Sequence, residues 1–344
     1  MKTRITELLG IMYPIVQTGM GWVSDINLVC ASCNAGALGI MSPAGLTPEE
    51  LREQIREVKK RTNGKPFGIN LSPAVPGLKH FLQVIIDEMV PVCNSGLRNP
   101  FRLAGIEKPE DLLYIPTVGN ARQAASMERQ GAAGVLVQGW EGGGHTSFIA
   151  TTVIIPEVVK AIKIPVIAAG GFCDGKGLAT ALALGAEAIA MGTRFALAQE
   201  SPIPMPIKEQ CLKATSEEAQ VSSVWDGFPQ RVIPGEKMKH YKGWWTAPWR
   251  VPFDLMSTKR TYNTTMKDMM DTVKFLRSLH ASLPQFMTGM EMYRRSTKLG
   301  DFKKAYFPAG QVVGQIDDIA TCQEIIERTM AEAEDIIKKM YGRL

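Results

Sequence analysis

A (β/α)8 TIM barrel, with a helical covering subdomain inserted after its eighth strand, is the fold class this 344-residue sequence predicts. Three observations carry it. Residues 1–200 alternate short β-branched or apolar runs with amphipathic segments. Eight such units can be picked out, which is the number that closes a barrel. The dinucleotide fingerprint of an open doubly wound sheet is missing, because Ser24 stands where Gly19 and Gly21 would need a third glycine.

The predicted strands are 13–17, 37–41, 66–71, 90–94, 113–118, 134–138, 165–169 and 188–191. Between them the helices are well signalled. Thr47 is an N-cap ahead of Pro48, with Glu49 and Glu50 in the first turn. Residues 120–130 and 177–184 are Ala-rich with helical spacing, and Gly131 and Gly185 end them. After residue 200 the pattern breaks at Pro202, Pro204 and Pro206. The stretch 221–314, rich in Met, Trp and basic residues, reads as helical hairpins, and Trp225, Trp244, Trp245 and Trp249 suit a cover over a barrel mouth. Residues 316–340 read as an amphipathic helix with Ile319, Cys322, Ile326 and Met330 on one stripe. The expected organisation is a ligand-binding barrel over 1–200, a mainly helical, basic cover over 201–314, and a C-terminal helix over 315–344 packed on the barrel.

Composition narrows the function classes. With 45% hydrophobic and 21% charged residues the chain can bury a large core. No apolar run approaches the ~20 residues of a membrane helix, and the N-terminal ten residues lack a secretory pattern. A cytoplasmic location is expected. Six cysteines in this length make no disulfide framework. Cys30 and Cys33 form a C-x-x-C pair set among apolar helical residues, which favours core packing over redox work, and no second pair completes a zinc site. The net charge of +5 is uneven: residues 231–280 hold ten Lys or Arg against four acids. Such a segment is either a solvated surface or a dock for an anionic partner. No nucleic-acid motif accompanies it.

In a barrel of this kind chemistry sits at the carboxyl ends of the strands. The seventh predicted strand ends in Ala169-Gly170-Gly171-Phe172-Cys173-Asp174-Gly175, and the eighth in Met191-Gly192-Thr193-Arg194-Phe195. Glycine lets backbone N–H groups approach an anion closely, so the two loops together point to a phosphate-bearing ligand. The sixth ends in Gln138-Gly139-Trp140-Glu141-Gly142-Gly143-Gly144-His145-Thr146. His145 is the preferred acid–base residue, because imidazole exchanges protons near neutral pH and three glycines lead to it. Glu141 either orients His145 or is a surface carboxylate. Gln17 and Asn70, polar amides that end apolar runs, suit the edge of a heterocycle. The sequence holds no metal cluster, no G-x-S-x-G elbow and no Walker loop.

These pieces together resemble the nitronate monooxygenase superfamily, formerly 2-nitropropane dioxygenases, which includes the FMN-dependent enoyl-acyl-carrier-protein reductases. The matching stretches are Q-T-G-M-G-W-V (17–23), P-F-G-I-N (66–70), Q-G-W-E-G-G-G-H (138–145), A-G-G-F-C-D-G-K-G (169–177) and M-G-T-R-F (191–195). The resemblance implies a TIM barrel that binds FMN non-covalently, with phosphate on the loops of Gly170, Gly171, Gly192 and Thr193. It further implies that Gln17, Thr18, Gly19, Met20, Asn70, Gln138, Gly143 and Gly144 surround the flavin and that His145 is the catalytic base. Pro308-Ala309-Gly310-Gln311 resembles another flavin-contacting stretch, which adds Gln311.

Within that superfamily the chain looks most like the branch that oxidises or reduces a carbon–carbon bond beside a coenzyme A thioester in steroid ring degradation. Q-T-G-M-G-W-V, E-G-G-G-H-T with the later A-T-T (150–152), and D-G-F-P-Q-R-V (226–232) carry that likeness. The basic segment would suit the phosphates of CoA. Some nitronate monooxygenases carry a lysine at the end of the fifth strand, where this chain has Pro116-Thr117. The expected partner is a small molecule, an acyl-CoA, with neither nucleic acid nor membrane, and a monomer or an oligomer is compatible with the sequence. Alternatives left open are oxidation of alkyl nitronates with O2, an NAD(P)H:quinone reductase, and a non-catalytic flavin-binding module.

Overall fold

The computed structural model describes residues 1–96, 98–238, 256, 265–279 and 282–342. Eight parallel strands close into a barrel: β1 (Ile15–Gln17), β2 (Leu38–Met41), β3 (Phe67–Asn70), β4 (Val92–Ser95), β5 (Leu113–Val118), β6 (Val135–Gln138), β8 (Val166–Ala169) and β9 (Ala188–Met191), with β9 paired back to β1. All eight predicted strands are present, each within two residues of its expected limits. They read as near-continuous apolar runs because they are covered on both faces.

Helices α1 (Arg4–Leu9), α2 (Ile26–Asn34), α3 (Pro48–Arg61), α4 (Leu78–Asp87), α5 (Pro100–Ala104), α6 (Ala121–Arg129), α7 (Thr151–Ala161), α8 (Gly175–Ala183) and α9 (Thr193–Ala196) accompany the strands. Thr47 caps α3 with a reciprocal Glu50 bond, and Asn120 caps α6. The barrel interior is a cluster that includes Val16, Leu38, Val92, Ile115, Leu136 and Ile167. Ile5 and Leu9 of α1 belong to the same cluster, so the N-terminal helix plugs the end opposite the carboxyl ends of the strands. Cys30 and Cys33 are buried in α2, and burial pushes the Cys33 thiol up to about 12. These are packing residues.

Beyond the barrel lie α10 (Met205–Lys213), α11 (Met266–Ser278), α12 (Leu283–Leu299) and α13 (Cys322–Tyr341). The last begins at Cys322, capped by Thr321, so Ile319 precedes the helix instead of sharing its stripe. Its buried face (Cys322, Ile325, Ile326, Thr329, Met330, Ala333) packs mainly on α8 and α2.

Reading 221–314 as helical hairpins overlooked a small antiparallel sheet. Strands β10 (Gln220–Ser222), β11 (Gln230–Pro234) and β12 (Tyr306–Phe307) pair in that order, and β11 also pairs with β7 (Gly144–His145), a short strand outside the barrel. The register sets Gln230 opposite His145 and Arg231 opposite Gly144. Strands of two to five residues whose partners are remote in sequence leave no periodic signal. Trp225 is buried against Tyr306 beneath this sheet, while Trp244, Trp245 and Trp249 lie outside the described residues.

Candidate active site

At the carboxyl ends of the barrel strands a cavity of about 990 Å3 opens beneath α11 and α12. The expected residues converge there from separate strands. Thr18, Gly19 and Met20 come from the turn after β1 and Asn70 from the end of β3. Gln138, Gly143, Gly144 and His145 come from β6 and its loop. Gly170 and Gly171 follow β8, and Gly192 and Thr193 follow β9. The cover contributes an apolar wall with Met269, Leu283, Phe286, Met287 and Met290. Among the described residues no helix is long and apolar enough to cross a membrane.

Two expected residues do not line the cavity. Gln17 is fully buried, and its Nε2 donates to Thr18 O, to Ser24 Oγ at 2.8 Å and to Ile40 O at 3.4 Å. It therefore ties down the 18–24 turn from beneath and cannot itself meet a heterocycle edge. Gln311 opens a short 3-10 turn, and its backbone N–H donates to Glu141 O at 3.0 Å. Its neighbours Gly310 and Val312 reach the cavity instead.

His145 faces the cavity with its side chain 45% exposed, and its Nε2 stands 2.7 Å from Oδ2 of Asp226, a residue almost fully buried. Asp226 is held in turn: the Phe228 N–H donates to its Oδ1 at 3.1 Å, and Gln230 Nε2 approaches Oδ2 at 3.4 Å. Phe228 sets its ring edge-on to the imidazole, with centroids 5.5 Å apart. Desolvation lowers the His145 pKa, but the charge and hydrogen bond of Asp226 outweigh it and leave the imidazole above its ordinary value. Asp226 was missed as a partner. Its only sequence signal was its place at the head of D-G-F-P-Q-R-V.

Glu141, the expected orienting group, does something else. Its carboxylate accepts from the Thr151 N–H at 3.0 Å and from Thr151 Oγ1 at 2.7 Å, so it caps the start of α7. Gln138 Nε2 donates to Gly143 O at 3.2 Å and His145 O at 2.8 Å, which fastens the glycine loop to β6. Gly170 and Gly171 both take positive φ, 94° and 81°, a conformation that glycine adopts without strain. Gly143 is needed for close approach: a Cβ there would lie 2.6 Å from Ala309 C and Gly310 N. Gly310 N–H donates to Thr193 Oγ1 at 2.9 Å, so the late 308–311 segment closes over the loops of both β6 and β9.

The basic segment is only partly described. Lys239, Lys242, Arg250, Lys259 and Arg260 lie outside the described residues. Arg231 is buried and spent on structure: Nη2 donates to Trp140 O at 2.9 Å and Nη1 to Ala219 O at 2.5 Å, while its guanidinium sits 5.2 Å over the Trp140 ring. It is therefore no phosphate ligand. Lys237, Lys267, Lys274 and Arg277 remain on the exposed surface.

A family model described as nitronate monooxygenase matches residues 2–79 and 73–332. A Rhodococcus jostii protein named (3aS,4S,5R,7aS)-5-hydroxy-7a-methyl-1-oxo-octahydro-1H-indene-4-carboxyl-CoA dehydrogenase is 37% identical over 97% of this chain and 96% of its own length. The Mycobacterium tuberculosis protein of the same name is 36% identical over the same shares. Among solved structures, FabK from Thermotoga maritima superposes with a TM-score of 0.80 at 32% identity and covers both chains completely.

Proposed function

The chain belongs to the nitronate monooxygenase family, an oxidoreductase family, and on that premise we propose that it is an FMN-dependent enzyme that oxidises or reduces the carbon–carbon bond α,β to a coenzyme A thioester. The observation that carries the reading is the His145–Asp226 pair inside a cavity with an apolar cover. Oδ2 of Asp226 accepts from Nε2–H, which leaves Nδ1 with the lone pair. Nδ1 is then the ring nitrogen that removes the proton α to the thioester carbonyl, or returns it in the reductive direction. The resulting imidazolium is stabilised by the buried carboxylate behind it. Apolar residues of α11 and α12 exclude water and hold the acyl group.

The residues present fit FMN. Thr18, Gly19, Met20, Asn70, Gln138, Gly143 and Gly144 would surround its ring system, and the backbone of Gly170, Gly171, Gly192 and Thr193 would take its phosphate. Among the described residues Asn70 Oδ1 has no hydrogen-bond partner, an acceptor free for a ligand. The loop at Gly144 is open, since a Cβ there would meet nothing within 4 Å. When bound, FMN supplies the acceptor or donor for the hydride at the β-carbon.

Oxidation of alkyl nitronates is the second reading, favoured by the family model itself. Pro116 and Thr117 line the cavity where some members carry lysine. Anaerobic titration of the FMN-loaded protein separates the two. Bleaching of the flavin band by acyl-CoA thioesters and not by an alkyl nitronate is the expected result; the reverse would return the protein to nitronate chemistry.

A further inference from the structure

We propose that Asn94 is a positioning residue that acts through Asn70, holding its amide with the carbonyl oxygen toward the cavity, so that the site selects a ligand with a ring N–H at that point. The proposal rests on the flavin reading above and deepens it.

Asn70 and Asn94 are register partners in the parallel ladder of β3 and β4. Asn94 is buried, and its Nδ2 donates to Ile115 O at 2.7 Å and to Thr117 Oγ1 at 3.2 Å. Its Oδ1 accepts from Asn70 Nδ2 at 2.6 Å. The polarity of this chain is forced from one end. A backbone carbonyl can only accept, so the Asn94 atom facing Ile115 must be nitrogen. The atom facing Asn70 is then oxygen, and Asn70 must meet it with its own nitrogen. Turning either amide over would set oxygen against oxygen in a buried place and leave an amide nitrogen unpaired.

Oδ1 of Asn70 is left over, together with the second N–H of its Nδ2. Asn70 lines the cavity, and among the described residues this oxygen has no protein partner. It is not sealed in as Gln17 Oε1 is. The end of β3 therefore presents an acceptor oxygen whose orientation is decided two strands away, at Ile115. An isoalloxazine ring has one such donor when oxidised, N3–H, and gains N5–H when reduced. Both offer the same chemistry, a ring N–H aimed at an amide oxygen.

Binding of FMN and of 3-methyl-FMN to the apoprotein, followed by flavin fluorescence, tests this directly. If N3–H is the donor, the wild type is expected to bind 3-methyl-FMN at least about tenfold more weakly than FMN. Asn94→Leu frees Asn70 to rotate, and the preference is expected to shrink to about twofold. Asn94→Ala, expected to behave as Asn94→Leu, covers failure of the larger side chain to fold. If N5–H is the donor, the two flavins bind the wild type alike, but Asn94→Leu lowers the midpoint potential of bound FMN because the reduced form loses its acceptor. A preference and a potential that are both unchanged in folded, FMN-binding Asn94→Leu would overturn the proposal. Failure of the wild type to take up FMN is seen before any variant is made, and it overturns the flavin reading together with this one.

Discussion

His145 Nε2 and Asp226 Oδ2 meet at 2.7 Å across the junction of the glycine loop after β6 and the strand β11 that lies antiparallel to it. One partner opens to the cavity and the other is almost wholly buried. The pair thus couples a solvent-reachable proton carrier to a fixed charge.

Removing that charge should move the pH dependence. Asp226 raises the His145 pKa, so in the oxidative direction the basic imidazole accumulates only above the raised value, and turnover rises with pH through it. Asp226→Asn is expected to shift this limb to lower pH and to reduce kcat/KM by about tenfold to a hundredfold. The check is a pH–rate profile of both proteins. Stability follows the same sign. The pair's contribution is fully present below the ordinary histidine range and is lost as pH rises through the raised folded value. The difference in Tm between wild type and Asp226→Asn should therefore narrow on the alkaline side.

Loss of the imidazole itself should leave the flavin site standing. His145→Ala is expected to retain FMN with an unchanged visible spectrum while turnover falls by about 10²–10⁴-fold. Flavin content and single-turnover rates measured on one preparation decide it. Loss of flavin and fold together would make His145 structural.

Glu141 gives the complementary case, since its carboxylate serves Thr151 and the start of α7. Glu141→Ala should lower stability by about 0.5–2 kcal/mol in denaturant unfolding. The pH–rate profile should keep its midpoint, which a partner of His145 could not do.

Gly143 is the point where a single added carbon should disturb the site most. A Cβ at 2.6 Å from Ala309 C and Gly310 N forces the 308–311 segment away from the loops of β6 and β9. Gly143→Ala should cost about 1–3 kcal/mol of stability and weaken FMN binding. Parallel thermal melts with and without FMN would show both effects.

The barrel was legible because its evidence is local. Each strand announces itself as a short apolar run, each helix by caps such as Thr47 and Asn120, and each functional loop by glycines at a strand end. Closing eight such units necessarily brings their carboxyl ends to one face. Asn70, His145 and the glycines of 170–171 and 192 are thus assignable to one cavity from the sequence.

What each side chain does there was decided only by tertiary structure. Gln17 and Asn70 look alike in sequence, each a terminal amide on an apolar run, yet one is sealed beneath a turn and the other lines the cavity. Glu141 stands near His145 in the chain and caps a helix, whereas Asp226, remote in sequence, holds the imidazole. The physical reason is that period and propensity act over a few residues, while a hydrogen-bond partner is chosen by whichever group the fold brings within about 3 Å. Sequence alone determined which strand ends and loops meet at the barrel mouth; packing determined which of their side chains face it, and with which partners.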